Sequence, residues 1–336
     1  MPDVMTLAGP VPAADLGPVL PHEHVFINLL REYRQSGLLN DEEEMRHEVA
    51  AYAAAGGGTL VDVTTSELTT GAATDPSGLF AAPGARTAAR ARTDDGGRDP
   101  ANVAALARLA AATGVRIVLG TGHYRDPYLD RDWFDRHTVA EIGELIVRDL
   151  TDGIPGTDGT RAGIIGEVGS DGWYVSATEE RSLRAAAHAQ LRTGAAITTH
   201  AARWPVGIPQ LDLLTGAGVP PERVIIGHCD KVCLPEYHLE LARRGAWVQF
   251  DTFHECASPR EAERRVALVM ALVRAGHLER ILLSHDICVR DHLASRGGTG
   301  FAYLLTDFTK KLRAAGLDDE EIRQLTETNP QRALAG

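Results

Sequence analysis

Leu20-Pro21-His22-Glu23-His24-Val25-Phe26 reads as a strand that presents two histidines to the same side. Strand side chains alternate with a period of two, so His22 and His24 share a face and can reach one metal ion together. An H-x-H pair is a modest signal alone. Four later residues join it, each closing a short apolar or β-rich run. Glu167 follows Ile164-Ile165-Gly166, and His200 follows Ile197-Thr198-Thr199. His228 follows Ile225-Ile226-Gly227, and Asp286 follows Leu282-Leu283-Ser284-His285.

Working outward, eight such segments recur, at 17–25, 58–65, 115–122, 162–169, 195–200, 223–228, 246–252 and 280–286, mostly with helical stretches between them. Strand alternating with helix predicts parallel βαβ units, and eight units predict an α/β fold closed as a single (β/α)8 TIM barrel over residues 1–336. Helix starts carry their own signals. Asn40 with Glu43, Thr138 with Glu141 and Ser258 with Glu261 have capping-box spacing. Asp99-Pro100 and Ser258-Pro259 place a cap before a first-turn proline, and Gly114 ends the helix that Asp99 begins. Residues 66–97, after the second strand, break the rhythm and read as a long insertion, either mobile or a lid.

Composition narrows the function. Hydrophobic residues are 44% and charged residues 24% of 336, enough for a full globular core. No run approaches the roughly 18 apolar residues of a membrane span. The start, Met1-Pro2-Asp3-Val4, shows no secretory signal, so a cytoplasmic protein is expected. A formal charge of −12 disfavours nucleic acid, whose phosphates call for Lys and Arg. The cysteines Cys229, Cys233, Cys256 and Cys288 have no disulfide-like spacing, and Cys229 should face away from whatever His228 faces.

In a parallel barrel the active site lies at the C-terminal ends of the strands, where His22, His24, Glu167, His200, His228 and Asp286 all fall. Four imidazoles and two carboxylates are too many for one tetrahedral zinc and suit two ions about 3.5–4 Å apart. His22, His24 and Asp286 are assigned to one ion, His200 and His228 to the other, and Glu167 to both. A hydroxide shared by the ions would attack a carbonyl, with Asp286 passing the proton to the leaving group. Zinc is the default metal, and Mn, Co or Fe suit the same N/O donors.

The combination Leu20-Pro21-His22-Glu23-His24, Gly166-Glu167-Val168-Gly169, Thr199-His200, Gly227-His228-Cys229-Asp230, Ser284-His285-Asp286 and the closing Asn329-Pro330-Gln331-Arg332-Ala333-Leu334 resembles the phosphotriesterase family of the amidohydrolase superfamily. The resemblance spans nearly the whole chain outside 66–97. It implies the same barrel, a binuclear metal centre and hydrolysis. Phosphotriesterases of this family bridge their metals with a carbamylated lysine on the fourth strand. This chain has only Lys231, Lys310 and Lys311, none on a candidate strand, and Glu167 stands at the bridging position. That departure resembles the glutamate-bridged branch, with its phosphotriesterase homology proteins and related lactone or N-acyl amide hydrolases.

Arg290 and His292 follow Asp286, and Arg290 is a candidate grip for a substrate carboxylate, phosphate or sulfonate. His123 and Tyr124 end the third strand, while Trp173, Arg203, Phe253 and His254 lie just past strands four, five and seven, as further candidate contacts. His285 should face the helix layer. The expected activity is metal-dependent hydrolysis of a lactone or carboxylic ester, with an N-acyl amide as the alternative and phosphotriester hydrolysis as a weak side activity. A TatD-type nuclease and a non-catalytic binding protein are the competing readings. The partner expected is a small-molecule substrate, and a homodimer is admitted by analogy alone.

Overall fold

The computed structural model describes residues 2–69 and 97–335. Its body is a sheet of eight parallel strands: β1 (Val19–Glu23), β2 (Thr59–Asp62), β3 (Arg116–Thr121), β4 (Ile164–Gly169), β5 (Ile197–His200), β6 (Val224–Ile226), β7 (Trp247–Phe250) and β8 (Ile281–Leu283). Hydrogen-bonded neighbours run in sequence order from β1 to β8. Every strand lies inside one of the eight segments expected from the sequence. Between them come α1 (Glu42–Ala54), α2 (Pro100–Thr113), α3 (Val139–Thr151), α4 (Ala177–Thr193), α5 (Gly207–Gly216), α6 (Pro235–Arg243) and α7 (Pro259–Arg274), with α8 (Thr309–Ala314) after β8. This is the (β/α)8 barrel.

Two apolar layers hold it. The larger lies between strands and helices, where Leu20, Leu60, Ile117, Ile165, Ile197 and Ile226 meet helix residues such as Leu106, Ile146, Leu183 and Leu211. The smaller fills the barrel's N-terminal half with Val19, Val61, Val118, Ile164, Ala196, Ile225, Trp247 and Leu282. Each fully buried aliphatic side chain contributes roughly 1.5–3 kcal/mol over its exposed state. An antiparallel hairpin, Asp3–Thr6 with Gly9–Pro12, seals this end through Val4. The sequence reading had not anticipated the hairpin.

The β8–β1 seam is joined by a side chain as well as by backbone. The His22 N–H donates to Ser284 Oγ (3.1 Å), and the Asp286 N–H donates to the His22 carbonyl (3.3 Å). Glu23, on the outer side of β1, accepts from Ser284 Oγ (2.7 Å), His285 N (2.8 Å) and Ile287 N (3.0 Å), clamping the chain around Asp286. His285 faces outward as expected: its Nδ1 meets Glu23 (3.0 Å), and its Nε2 accepts from Leu304 N (2.9 Å).

The capping expectations hold in part. Thr138 and Glu141 form the predicted box on α3, and Asp99, Pro100 and Gly114 bound α2 as read. The cap of α1 is Asp41 rather than Asn40, accepting from the Glu43 and Glu44 N–H groups. Ser258 makes no side-chain cap on α7. The predicted insertion also needs trimming. Ser66–Thr69 form a short helix with Ser66, Leu68 and Thr69 buried, so these residues belong to the core. Residues 70–96, where the mobile-or-lid expectation falls, lie outside the described residues. No helix among the described residues is long and apolar enough to cross a membrane.

Candidate metal centre

The six residues picked from the sequence meet at the C-terminal end of the barrel. Simple alternation does not deliver all of them. On β4, Ile164 points into the barrel core and Ile165 into the helix layer, so Glu167 would point outward in a regular strand. A register irregularity between Ile165 and Val168 turns it inward. Gly166, at φ 125°, makes this feasible: a Cβ there would collide with the Thr198 carbonyl oxygen. His228 and Asp286 are re-aimed differently, each adopting the left-handed conformation (φ 55° and 54°) that non-glycine residues rarely take.

Glu167 sits at the centre, 2% exposed. Its carboxylate lies 3.4 Å from His22 Nε2, 3.4 Å from His24 Nε2, 3.1 Å from His200 Nδ1 and 3.3 Å from His228 Nε2. Asp286 Oδ1 is 3.4 Å from His24 Nε2 and 3.9 Å from His22 Nε2. A tetrahedron whose corners lie about 2.1 Å from a central zinc has edges of about 3.4 Å. His22 and His24 each lie at that spacing from one Glu167 oxygen, Oε2 and Oε1 in turn, and His24 from Asp286 Oδ1, while Asp286 stands somewhat farther from His22. His200, His228 and Glu167 form a second, tighter group, with the two imidazole nitrogens 2.8 Å apart. His22 Nε2 is buried with no hydrogen-bond partner, as expected of an atom whose partner is a metal ion.

The charges fit the same reading. Burial opposes protonation of His24, but Asp286 and Glu167 outweigh it and lift the imidazole to about 9. Burial likewise opposes His228, and Asp251 and Glu167 lift it to about 10. His22 is raised well above its ordinary value, with Asp251 and Glu167 overcoming burial. Glu167 and Asp286 are held low despite burial, by His22 and His200 in one case and by His24 and His228 in the other. His200 goes the other way: burial and neighbouring His228 push it down to about 4. Protons on three imidazoles thus balance buried carboxylates where divalent ions could do so instead.

Several residues escaped the sequence reading. Asp251, fully buried just past β7, accepts from His228 Nδ1 (2.8 Å) and lies 3.1 Å from His22 Nδ1, which also contacts Gln249 Nε2 at 3.0 Å. Gln249 donates to Asp251 Oδ2 (2.8 Å). Thr64 Oγ1 is 2.9 Å from His24 Nδ1. The available signal was Gln249 and Asp251, polar residues two apart in an apolar strand segment, which must share the inner face.

Above the cluster opens a cavity of about 770 Å³. Tyr124, Arg203 and His292 line it, as do His254, Arg31, Arg125, Lys231, Asp171, Glu255 and Cys288. Tyr124 OH lies 3.2 Å from His200 Nδ1. His254 and His292 stack in parallel at 3.8 Å, and burial together with His254 pushes His292 down to about 3. Arg125 pairs with Glu32 and Asp171, and Lys231 pairs with Glu255.

Four expected contacts are absent from this wall. Arg290 donates to the Leu38 carbonyl (3.0 Å) and Asn40 Oδ1 (3.3 Å), so its guanidinium holds a backbone turn. His123 lies behind the wall, bonded to Glu67 (2.6 Å) and packed on Trp133 and Phe134. Phe253 is fully buried against Phe308. Trp173 is 71% exposed and packs on Tyr174 outside the cavity.

Comparison with known proteins agrees with this geometry. The model of the phosphotriesterase family matches residues 2–334. The phosphotriesterase homology protein of Escherichia coli strain K12 is 37% identical over 220 residues, 66% of this chain and 74% of that protein. The N-acetyltaurine hydrolase of Danio rerio is 28% identical over 334 residues, 95% of this chain and 85% of that protein. Among solved structures, the Escherichia coli phosphotriesterase homology protein, with phosphate in its active site, superposes with a TM-score of 0.81 at 28% identity, covering 95% of this chain and 99% of that one.

Proposed function

The chain belongs to the phosphotriesterase family, a family of hydrolases, and from that premise we propose that it cleaves an N-acyl amide at its carbonyl carbon with the aid of two divalent ions, zinc foremost. One observation carries the reading: a single buried carboxylate, Glu167, lies 3.1–3.4 Å from four imidazoles at the floor of an open cavity. His22, His24 and Asp286 would hold one ion, His200 and His228 the other, and Glu167 both. When bound, such ions supply a water ionised near neutral pH and polarise a carbonyl oxygen.

The residues of the chain do the rest. Asp286 stays anionic because His24 and its neighbours hold its pKa low against burial, so it can accept a proton from the attacking water. Its side chain is 15% exposed, which lets it hand that proton to a leaving nitrogen. An amine leaves poorly unless protonated, so this transfer matters more for an amide than for an ester. Tyr124 presents its hydroxyl to the cavity and can orient the substrate oxygen. Burial keeps that phenol protonated, hence a donor.

A lactone or carboxylic ester, placed first on sequence grounds, uses the same machinery. The amide moves ahead because a named amide hydrolase aligns over 95% of this chain. A second reason is that Arg31 and Arg203 on the cavity wall have no carboxylate partner among the described residues, which suits an anionic substrate. The test is a kcat/KM panel on zinc-loaded protein, comparing N-acyl amino acids and N-acyl aminosulfonates with lactones, aryl esters and a phosphotriester. Anionic N-acyl amides should lead. Lactone turnover tenfold above every amide would replace the substrate reading, and no turnover of any compound would favour a binding protein.

A further inference from the structure

We propose that Asp251 is a positioning residue shared by both metal positions, orienting one imidazole for each ion. The inference rests on the two-ion reading above and goes beyond it. Asp251 Oδ2 meets His22 Nδ1 at 3.1 Å, and Oδ1 meets His228 Nδ1 at 2.8 Å. On their far sides the same two rings turn Nε2 toward one oxygen, Glu167 Oε2, at 3.4 and 3.3 Å. The four side chains therefore close a ring, Asp251–His22–Glu167–His228, in which each imidazole faces a carboxylate oxygen from both nitrogens, with Gln249 Nε2 also 3.0 Å from His22 Nδ1. A ring nitrogen that donates to a carboxylate leaves the other unprotonated and free to bind metal.

Asp251 is itself held from three directions. The His228 N–H donates to its Oδ1 (3.0 Å), so one carboxylate fixes both the ring of His228 and the left-handed turn that aims it. Gln249 Nε2 donates to Oδ2 (2.8 Å). Backbone N–H groups of Asp251 and Thr252 donate to Asp230 (3.3 and 3.0 Å), which is paired with buried Arg265 at 2.9 Å. Thr64 offers the contrast, since it touches His24 alone among the six proposed ligands.

The experiment is zinc titration of metal-free protein against a chromophoric chelator, fitted to two binding constants, with thermal midpoints of the metal-free proteins recorded alongside. The wild-type chain should bind two ions. Asp251→Asn keeps the shape but cannot accept from both imidazoles, and it should weaken both constants by about 10- to 100-fold, the usual effect of losing such a partner. Thr64→Val should weaken one constant only. If Asp251→Asn does not fold, Gln249→Met, which removes a donor from Oδ2 and a contact from His22 Nδ1, should still weaken both constants by a smaller factor, and the deciding one is that of the His228 ion, which Gln249 reaches through Asp251. An Asp251→Asn protein, or a Gln249→Met protein where Asp251→Asn does not fold, in which one constant stays within twofold of wild type overturns the inference while leaving the two-ion reading intact. A wild-type chain that binds one ion or none overturns the two-ion reading and the inference with it.

Discussion

Glu23→Gln tests whether the residue between the two histidines is what holds the barrel seam. The Glu23 carboxylate is fully buried; Oε1 accepts from Ser284 Oγ, His285 N and His285 Nδ1, and Oε2 accepts from Ile287 N. Glutamine keeps one acceptor oxygen, but its amide N–H₂ then faces the Ile287 N–H. Ser284 can turn its hydroxyl to the His22 carbonyl at 2.8 Å instead, so its bond is discounted. Turning the two His285 bonds from charge-assisted to neutral costs about 1 kcal/mol each, and opposing donors at Ile287 add about 1–3 kcal/mol. The expected loss is about 3–5 kcal/mol, a large share of the roughly 5–15 kcal/mol that keeps a typical protein folded.

At about 2 °C per kcal/mol for a chain of this size, the midpoint should fall by roughly 6–10 °C in calorimetry of the metal-free protein. Asp286 sits between His285 and Ile287, so zinc affinity should fall as well. A midpoint within about 2 °C of wild type, with zinc affinity unchanged, would refute the seam argument.

The cluster and the cavity make further outcomes testable. In metal-free protein His24 and His228 titrate at about 9 and 10, against about 6.5 unfolded, so their contribution to stability is complete below about 6.5 and is lost as pH rises through 9 and 10. Zinc loading at pH 7 should accordingly release protons, read as a dependence of calorimetric heat on buffer ionisation enthalpy; no proton release would contradict the assignment. Arg203→Ala should lower kcat/KM for an anionic N-acyl amide by about 5- to 30-fold, the scale of a partly exposed charged hydrogen bond, and leave a neutral analogue unchanged. Arg290→Ala should affect both substrates alike, because its guanidinium serves Leu38 and Asn40.

The barrel was legible because its strands are short apolar runs and because helices such as α2 and α3 carry caps at the spacing the sequence shows. Glu167 and the five residues that meet around it were legible for a related reason: each is a polar residue at or near the end of an apolar strand. What alternation could not show was how they arrive. Glu167 needs the irregularity at Gly166, and His228 and Asp286 need left-handed turns, none of which a period of two encodes. Asp251 is not legible in the same way because it follows Phe250 inside the run Trp247-Val248-Gln249-Phe250-Asp251-Thr252, with no histidine or glutamate beside it to mark a metal site. Its role depends on reaching His22 and His228, both far away in sequence. Arg290, expected as a substrate contact, instead directs its guanidinium to Leu38 and Asn40 away from the cavity wall, for the converse reason. A guanidinium near a strand end reads as a ligand grip, and only the fold reveals that the Leu38 carbonyl claims it.

The most direct test of the central claim is the metal content of the protein after chelation and reconstitution with zinc in bicarbonate-free buffer. Glu167 supplies its carboxylate without carbon dioxide, so elemental analysis should find about two zinc ions per chain, and amide hydrolysis should return without added bicarbonate. One ion or none, a strict bicarbonate requirement, or full activity in the metal-free protein would contradict the account.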